Sequence, residues 1–360
     1  MSDMHELIME STTKIFKDLC TKELVDKVEE GKWAGTLWDV LVESGITSVG
    51  VSESVGGTGG DYIDAFHILR LAGKFAVPLP LAETLIVNWL LAEYGEAPKE
   101  YPVTFAIDSN NKLELKKTEN GYLVNGTIIN VPWTQQAKEI LVLGSIEGES
   151  VITLLPLEKA NIHPNSNLAG EPRDKVVFED KIVGNIVTYV VEKAEIKDKI
   201  MNLGGLSKAV MMSGAIDRIL ELSIQYTKER EQFGRPLHRL QAIQQHLAIL
   251  SGETVAVLAS TNQAIEAYDR GIIIDEIANA KLKANQATAI VTEIAHQVHG
   301  AIGATHEHRL HQLTRRLWAW REEFGNENDW AEKLAYQVMN SKDQSLWEMI
   351  TDKNGKEIAY

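Results

Sequence analysis

The sequence predicts a mainly α protein with a central β domain: an N-terminal helical domain, an antiparallel β domain and a C-terminal four-helix bundle. Two observations support this prediction. Apolar residues recur at helical spacing over the first hundred residues and again beyond Glu195. Between these regions the apolar residues alternate with a period of two. The predicted boundaries are 1–100, 101–195 and 196–345, with a C-terminal tail at 346–360.

The N-terminal region begins its clearest helix near Leu37. Leu37, Val40, Leu41 and Ile46 recur at roughly helical spacing, which indicates one buried helix face. Gly45 stands where this helix is expected to stop, because glycine readily adopts the left-handed conformation that ends many helices.

A polar, glycine-rich loop follows from Ser52 to Asp61, and a second helix is predicted through Ala65 and Ile68. The prolines within 76–80 end that helix, since proline lacks an amide donor and clashes with the preceding turn. Glycine amides before a helix can also cradle a phosphate. Tyr62, however, occupies the place where a dinucleotide fingerprint needs its third glycine. A flexible connection is therefore the favoured interpretation of this loop.

The β region contains six candidate strands separated by turn-forming segments such as Asp108-Ser109-Asn110-Asn111. Strands joined by short turns favour an antiparallel sheet or a small barrel over alternating βαβ units. The candidate strands are 103–107, 122–124, 140–143, 151–155, 175–178 and 186–191.

The C-terminal region returns to helical spacing. Long apolar stripes with few prolines favour a four-helix bundle. One stripe comprises Leu240, Ile243, Leu247 and Leu250, and another comprises Ile274, Ile277, Ala278, Leu282 and Ala284.

The composition narrows the class of protein. A net charge of −15 disfavours a general nucleic-acid-binding protein, because phosphate contacts need clustered Lys and Arg side chains. This net charge does not exclude an anionic small ligand, because binding such a ligand needs only a few local cations. The single cysteine, Cys20, excludes an internal disulfide and fits a reducing compartment. No apolar run approaches the roughly 20 residues that span a membrane. We expect a cytoplasmic protein.

Four histidines, His299, His306, His308 and His311, invite a metal-site hypothesis. On a helix, His308 and His311 would share a face, whereas His306 and His308 would lie on different sides. No cysteine is close in sequence, and no H-E-x-x-H pair exists. We therefore expect no metal.

The most informative segment surrounds Arg230. A helix is predicted to end at 228–230, the chain turns through Phe233 and Gly234, and Pro236 helps to start a new helix. Arg230 lies beside this break, where its guanidinium could bind a diphosphate through two hydrogen bonds. The alternative is a solvated arginine at a helix end, which is the more common situation for a single arginine.

This segment resembles a signature of the acyl-CoA dehydrogenase family, R-x-x-F-G-x-P-L-x-x-x-Q-x-I-x-x-x-L-A, from Arg230 to Ala248. A second block, from Gln297 to Glu307, is similar to the family's Q-x-x-G-G-x-G-x-x-x-E segment, with Ala301 in place of the second glycine. A weaker match to the family's N-terminal domain spans Trp38 to Gly60. The order helical, β, helical also agrees, so the resemblance covers nearly the whole chain.

The resemblance implies a flavoprotein oxidoreductase of fatty acid or lipid metabolism. Such an enzyme oxidises the Cα–Cβ bond of an acyl-CoA thioester with FAD and passes the electrons to an electron-transfer flavoprotein. In this family the two matched blocks reach FAD bound in a neighbouring subunit, so an oligomer is implied. The implied contacts to FAD are Arg230, Phe233 and Gln241 in the first block and Gln297, His299, Gly300 and Ala301 in the second.

The family's base is a carboxylate that removes the α-proton of the substrate, and desolvation can raise its pKa toward the working pH. Counting along the family pattern from Gln297 places this base at Phe324, one residue from Glu323. Glu323 is therefore the candidate catalytic residue, although a solvated charge at a helix end is the more common role. A second family location for the base falls at Gly204 and Gly205, which cannot take a proton.

The β region departs from the family as well. Members carry a T-E-P-x-x-G-S-D loop that contacts flavin and substrate, and the shorter segment 104–109 stands there, although 121–126 fits the family's G-Y-x-x-N-G pattern. Residues that in the family contact a neighbour's FAD are present. Residues that would contact the chain's own flavin and substrate are replaced or missing. This resembles the divergent subunit of heteromeric α2β2 acyl-CoA dehydrogenases. The alternatives are a self-sufficient homo-oligomer that uses Glu323, and a flavin-free assembly subunit.

Overall fold

The computed structural model describes residues 3–106, 112–184, 186–271 and 274–340. Within them, helices precede and follow a set of strands, which confirms the predicted order. The helices are α1 Asp3–Leu19, α2 Lys22–Glu29, α3 Gly35–Glu43, α4 Tyr62–Phe75, α5 Leu81–Ala92, α6 Lys193–Glu229, α7 Gln241–Asp269, α8 Ile274–His299, α9 Leu310–Glu322 and α10 Glu327–Asn340. The strands are β1 Val103–Ala106, β2 Lys112–Thr118, β3 Gly121–Pro132, β4 Glu139–Ile146, β5 Glu149–Pro156, β6 Asn161–His163, β7 Arg173–Val183, β8 Thr188–Val190, β9 Glu231–Gln232 and β10 Arg235–Pro236. The predicted tail at 346–360 lies outside the described residues.

The glycine-rich loop before α4 is held together by its own backbone. The amide of Gly50 donates to the carbonyl of Gly59, and the amide of Gly59 donates to the carbonyl of Val51, each at 2.9 Å. These two amides are therefore engaged within the loop. Gly45 adopts the left-handed conformation (φ 72°) just after α3, as the sequence predicts.

Strands β1–β8 form one sheet in the order β6-β7-β3-β2-β4-β5-β8, with β1 beside β4. Most pairs are antiparallel, but β1 and β2 both pair with β4 in parallel. The predicted antiparallel pairing therefore holds for most of the sheet, and the two parallel pairs make the sheet mixed. Short turns determine only the hairpin neighbours, such as β2 with β3 and β4 with β5. The other pairings depend on contacts between segments that are distant in sequence.

Two strands of this sheet were not predicted. β2 contains four charged residues in seven, yet it alternates, so that Leu113 and Leu115 are buried at 4% and 2% exposure. The alternation of apolar and charged residues along β2 was the sequence pattern that could have predicted this strand. β6 has only three residues, Asn161–His163, and no such pattern.

The described residues form two compact units. One unit comprises the described residues of Met1–Asp18, Phe66–Val77 and Gly204–Tyr360, and the other comprises those of Leu19–Ala65 and Pro78–Leu203. The second unit contains the sheet and α5, which is buried from Leu81 to Leu91. None of the described helices is long and apolar enough to cross a membrane.

In the first unit, α4 crosses α6 at a pair of glycines. A β-carbon on Gly73 would overlap the carbonyl oxygen of Met211, and one on Gly214 would overlap the carbonyl oxygen of Arg70. The two helix backbones touch at this crossing because neither glycine has a side chain. The position of α6, which leads to Arg230, depends on this contact.

Candidate cofactor-binding and catalytic sites

The segment after α6 forms a tight hairpin. Arg230 donates its amide to the carbonyl of Tyr226 and accepts from the amide of Leu237, at 2.8 and 2.9 Å. β9 and β10 then pair across Phe233 and Gly234, which both have positive φ, 55° and 74°. A phenylalanine rarely adopts this conformation, and here its side chain is 86% exposed. The predicted turn is confirmed, and its tip presents an exposed aromatic ring.

The hairpin leads directly to the N-terminus of α7. Its first residue, Gln241, is exposed, as is Arg230. Leu240, the residue before the helix, makes no capping hydrogen bond with its side chain. The first amides of a helix have no partner within it and carry a partial positive charge. An exposed guanidinium beside such a terminus is a suitable environment for an anionic group such as a diphosphate.

The second predicted cofactor segment lies at the C-terminal end of α8. Gln297, Gly300 and Ala301 are exposed, and Gly300 has a positive φ of 63°. His299 differs from them, because its side chain is only 3% exposed. From this position its imidazole contacts the interior of the bundle.

The ring of His299 stacks on that of Tyr226, with centroids 4.7 Å apart. Tyr226 lies one helical turn before Arg230, so this contact brings the two predicted segments to the same end of the bundle. His299 Nδ1 lies 2.8 Å from the carbonyl oxygen of Ala295. Burial lowers the pKa of His299 to about 4, so the ring is neutral at neutral pH.

The histidines considered as metal ligands lie partly in a turn. His306 and His308 precede α9, which begins at Leu310, so the helical spacing assumed from sequence does not apply to them. The rings of His306 and His311 are 5.0 Å apart. The described part of the chain contains no group of three or more His, Cys, Asp or Glu side chains able to hold a metal ion.

The two predicted locations for a base meet in space. Phe324 packs on Gly204 so closely that a β-carbon on the glycine would overlap its ring. A β-carbon on Gly205 would lie 2.6 Å from Trp330 Cζ2. The two predicted base locations are far apart in the sequence, and in the structure they face each other. Both lack a carboxylate.

Glu323, the candidate base, is in an ion pair. Its Oε2 lies 3.2 Å from Nζ of Lys208 on α6, whose side chain is 4% exposed, whereas that of Glu323 is 20% exposed. A buried ammonium left without a counter-charge is costly. The structure therefore gives the Glu323 carboxylate a stabilising role in this loop.

A second buried lysine, Lys281 of α8, holds the same loop. Its Nζ donates to the carbonyl oxygens of Trp320, Arg321 and Gly325 at 3.0–3.2 Å, and to Asn285 Oδ1 at 2.7 Å. Burial lowers the pKa of Lys281 to about 7, although the charge of Glu323 opposes this shift.

These two lysines were missed in the sequence. Lys281 follows Ile277 and Ala278 by one helical turn, so it is a charged residue within an apolar stripe. Lys208 lies in a similar position among buried residues of α6. A charged residue that interrupts an apolar stripe was the sequence pattern that could have identified both lysines.

The contact between Gly204 and Phe324 can be tested by a double-mutant cycle. We expect Gly204→Ala to destabilise the chain by about 1–3 kcal/mol, because its methyl group meets the Phe324 ring. In a Phe324→Ala background the same change should be neutral or stabilising, since alanine is favoured over glycine within a helix. Chemical denaturation of the unsubstituted chain, the two single variants and the double variant measures the coupling free energy between the two residues. Equal costs in both backgrounds would show that the residues do not touch.

The comparisons with known proteins agree with this architecture. Residues 196–335 match the family model described as "Acyl-CoA dehydrogenase, C-terminal domain". Acyl-CoA dehydrogenase IpdE2 of Mycolicibacterium smegmatis is 24% identical over 342 residues, which cover 94% of this chain and all of the relative.

Solved structures show the same fold. The ChsE4-ChsE5 complex from Mycobacterium tuberculosis contains a chain with a TM-score of 0.83 and 18% identity, covering 95% of this chain and 99% of that one. Butyryl-CoA dehydrogenase from Megasphaera elsdenii gives a TM-score of 0.79 at 20% identity, over 94% and 99% of the two chains. Helices, a mixed sheet and a helical bundle in this order define the acyl-CoA dehydrogenase fold. Residues 196–335 therefore match the C-terminal domain of the acyl-CoA dehydrogenase family, and the chain as a whole is similar to proteins named acyl-CoA dehydrogenase.

Proposed function

We propose that the chain is the FAD-completing subunit of a heteromeric acyl-CoA dehydrogenase, an α2β2 assembly that desaturates an acyl-CoA thioester. The absence of a carboxylate at both base positions, where Phe324 packs on Gly204, carries the heteromeric role. A second observation separates the chain's own catalytic location from its cofactor contacts. Gly204, at one base location, and Glu229, beside Arg230, belong to the same continuous helix, α6. At 1.5 Å per residue, they lie about 38 Å apart. The two sets of residues cannot meet around one reacting centre within this chain.

The end of the bundle near Arg230 suits a cofactor held by another subunit. Arg230, Gln241 and Phe233 are all exposed, and the positive end of α7 lies beside them. Arg230 and the first amides of α7 would bind the diphosphate of FAD, and Phe233 would contact its adenine end. Gln297, Gly300 and Ala301 would add contacts from the end of α8. The flavin itself supplies the acceptor for the substrate's hydride.

The chain's own catalytic location is unsuited to proton abstraction. Phe324 and Gly204 fill the two base positions, and Glu323 is engaged by Lys208. We therefore assign the base and the acyl pocket to a homologous sister chain, with an electron-transfer flavoprotein as the electron acceptor. A name among the solved neighbours, the ChsE4-ChsE5 complex, is consistent with a two-chain assembly.

Replacing Arg230 tests the cofactor assignment. In the complex with the sister chain, Arg230→Ala should weaken FAD binding by about 1.5–3 kcal/mol, a factor of ten or more in Kd, because charge-assisted hydrogen bonds are lost. Flavin absorbance per complex measures the effect. Arg270→Ala is the matched control, since Arg270 is also exposed but lies beyond the other end of α7. Equal flavin content in both variants would reject the assignment.

Flavin absorbance also separates the alternatives. A flavin-free assembly subunit predicts no flavin absorbance beyond that of the sister chain alone. A self-sufficient homo-oligomer predicts that this chain, purified by itself with FAD, oxidises acyl-CoA and loses that activity when Glu323 is replaced.

A further inference from the structure

A cavity of about 350 Å³ opens in the unit that contains the sheet, and the residues that line it belong to this one unit. Leu91 of α5, Leu154 of β5 and Val187, just before β8, give it apolar walls. Leu91 is 2% exposed, whereas Val187 is 57% exposed although it is apolar. Pockets for small molecules have volumes of about 300–1,000 Å³ and mostly apolar linings. The cavity therefore suits a ligand at the small end of this range.

Two carboxylates in the lining have no cationic partner. Glu96 Oε1 accepts from the hydroxyl of Tyr189 at 2.7 Å, and Glu139 Oε2 accepts from that of Tyr101 at 2.6 Å. Burial and the Glu96 carboxylate raise the pKa of Tyr189 to about 12, so its hydroxyl stays protonated and donates this bond. Among the residues that the structure describes, no lysine, arginine or histidine nitrogen lies within 4.0 Å of either carboxylate. Each carboxylate thus bonds to a neutral hydroxyl and lacks a counter-ion.

The same lining contains a cation without a counter-ion. Lys99 is half-buried, and within the described part of the chain its Nζ has neither an ion pair nor a hydrogen bond. Its backbone is held in place, because its amide donates to Asn88 Oδ1 at 2.8 Å. The second lysine of the lining, Lys159, does have a partner, Glu158 at 3.5 Å. Charges of both signs therefore line one cavity without pairing across it.

We propose that this cavity binds an apolar α-amino acid as a zwitterion, with its ammonium against Glu96 and Glu139 and its carboxylate against Lys99. A partly buried charge without a counter-ion is costly, and a ligand that carries both charges supplies both kinds of counter-ion. A simple anion would meet two like charges, and a simple cation would meet the ammonium of Lys99. Leu91 and Leu154 would contact the apolar side chain of the ligand. The site shares no residue with those assigned to FAD, and it does not depend on the FAD-completing role.

Three ligands of matched shape test which charges the cavity recognises. L-Leucine carries both charged groups, isocaproate carries only the carboxylate, and isoamylamine carries only the ammonium. In calorimetric titrations of the full chain as isolated, we expect L-leucine to bind at least tenfold more tightly than either analogue. L-Leucine should also raise the melting temperature, because a ligand that binds the folded state stabilises it. An analogue that binds as tightly as L-leucine, or no binding of L-leucine and L-phenylalanine at millimolar concentration, would overturn the proposal.

Substitutions in the lining locate the binding site. Lys99→Gln removes the ammonium, so it should lower the affinity for L-leucine at least tenfold without weakening the binding of isoamylamine. Glu96→Gln should weaken both ligands, while the glutamine can still accept from Tyr189. Lys175→Gln is the matched control, because Lys175 is an exposed lysine of β7 outside the lining. Equal affinities for L-leucine in Lys99→Gln and Lys175→Gln would reject the site. Flavin absorbance of the same samples tests the FAD-completing role separately.

Discussion

The chain expressed alone and supplied with FAD is expected to oxidise acyl-CoA at least about 10²–10⁴-fold more slowly than its complex with the catalytic sister chain. Loss of a positioned base reduces the rate by this factor. Here both base locations lack a carboxylate, since Phe324 packs on Gly204. Turnover of several acyl-CoAs with an artificial electron acceptor, before and after addition of the sister chain, measures the difference.

The variant Glu323→Gln provides the control for this result. In the complex, it should leave kcat within a few-fold of the unsubstituted rate, because Glu323 pairs with Lys208 and the proposal assigns the base to the sister chain. It should instead lower the stability of the chain, since the buried ammonium of Lys208 loses its ion pair with Glu323. Strong turnover by the chain alone that disappears in Glu323→Gln would establish a self-sufficient enzyme.

Replacing Gly214 with alanine is expected to cost about 3 kcal/mol or more of folding stability. The added methyl group would overlap the carbonyl oxygen of Arg70 at the crossing of α4 and α6. Overpacking usually costs about 1–3 kcal/mol when side chains can move aside. A backbone carbonyl cannot move without shifting the helix. We therefore expect a loss of folding stability at or above the upper end of this range. The midpoint and slope of urea denaturation measure the change.

Gly252 supplies the matched control for this prediction. It is also a glycine within a helix, but its β-carbon would meet no atom of the chain within 4 Å. Gly252→Ala should therefore stabilise the chain by about 0.5–1 kcal/mol, as alanine does in an open helix position. Similar effects of the two substitutions would show that the helix crossing is not tightly packed.

The order of the elements and the nature of the hairpin follow from local properties of the sequence. Apolar spacing separates helical regions from strands because a helix and a strand repeat at 3.6 and 2 residues. Phe233-Gly234 predicts a turn from local backbone preferences alone, and the structure confirms it. The two blocks that contain Arg230 and Gln297 were also recognisable, because residue type and spacing are local properties. Their binding of FAD stays a prediction.

The contacts between distant segments become visible only in the folded chain. It paired β1 and β2 in parallel with β4, brought His299 onto Tyr226 and placed Phe324 against Gly204. The sequence pattern along one element carries no information about the register or distance of another. Glu323 shows the consequence most clearly: its position one residue from the expected base suggested catalysis. The structure pairs it with Lys208, 115 positions earlier in the chain, because a buried ammonium requires a nearby counter-charge.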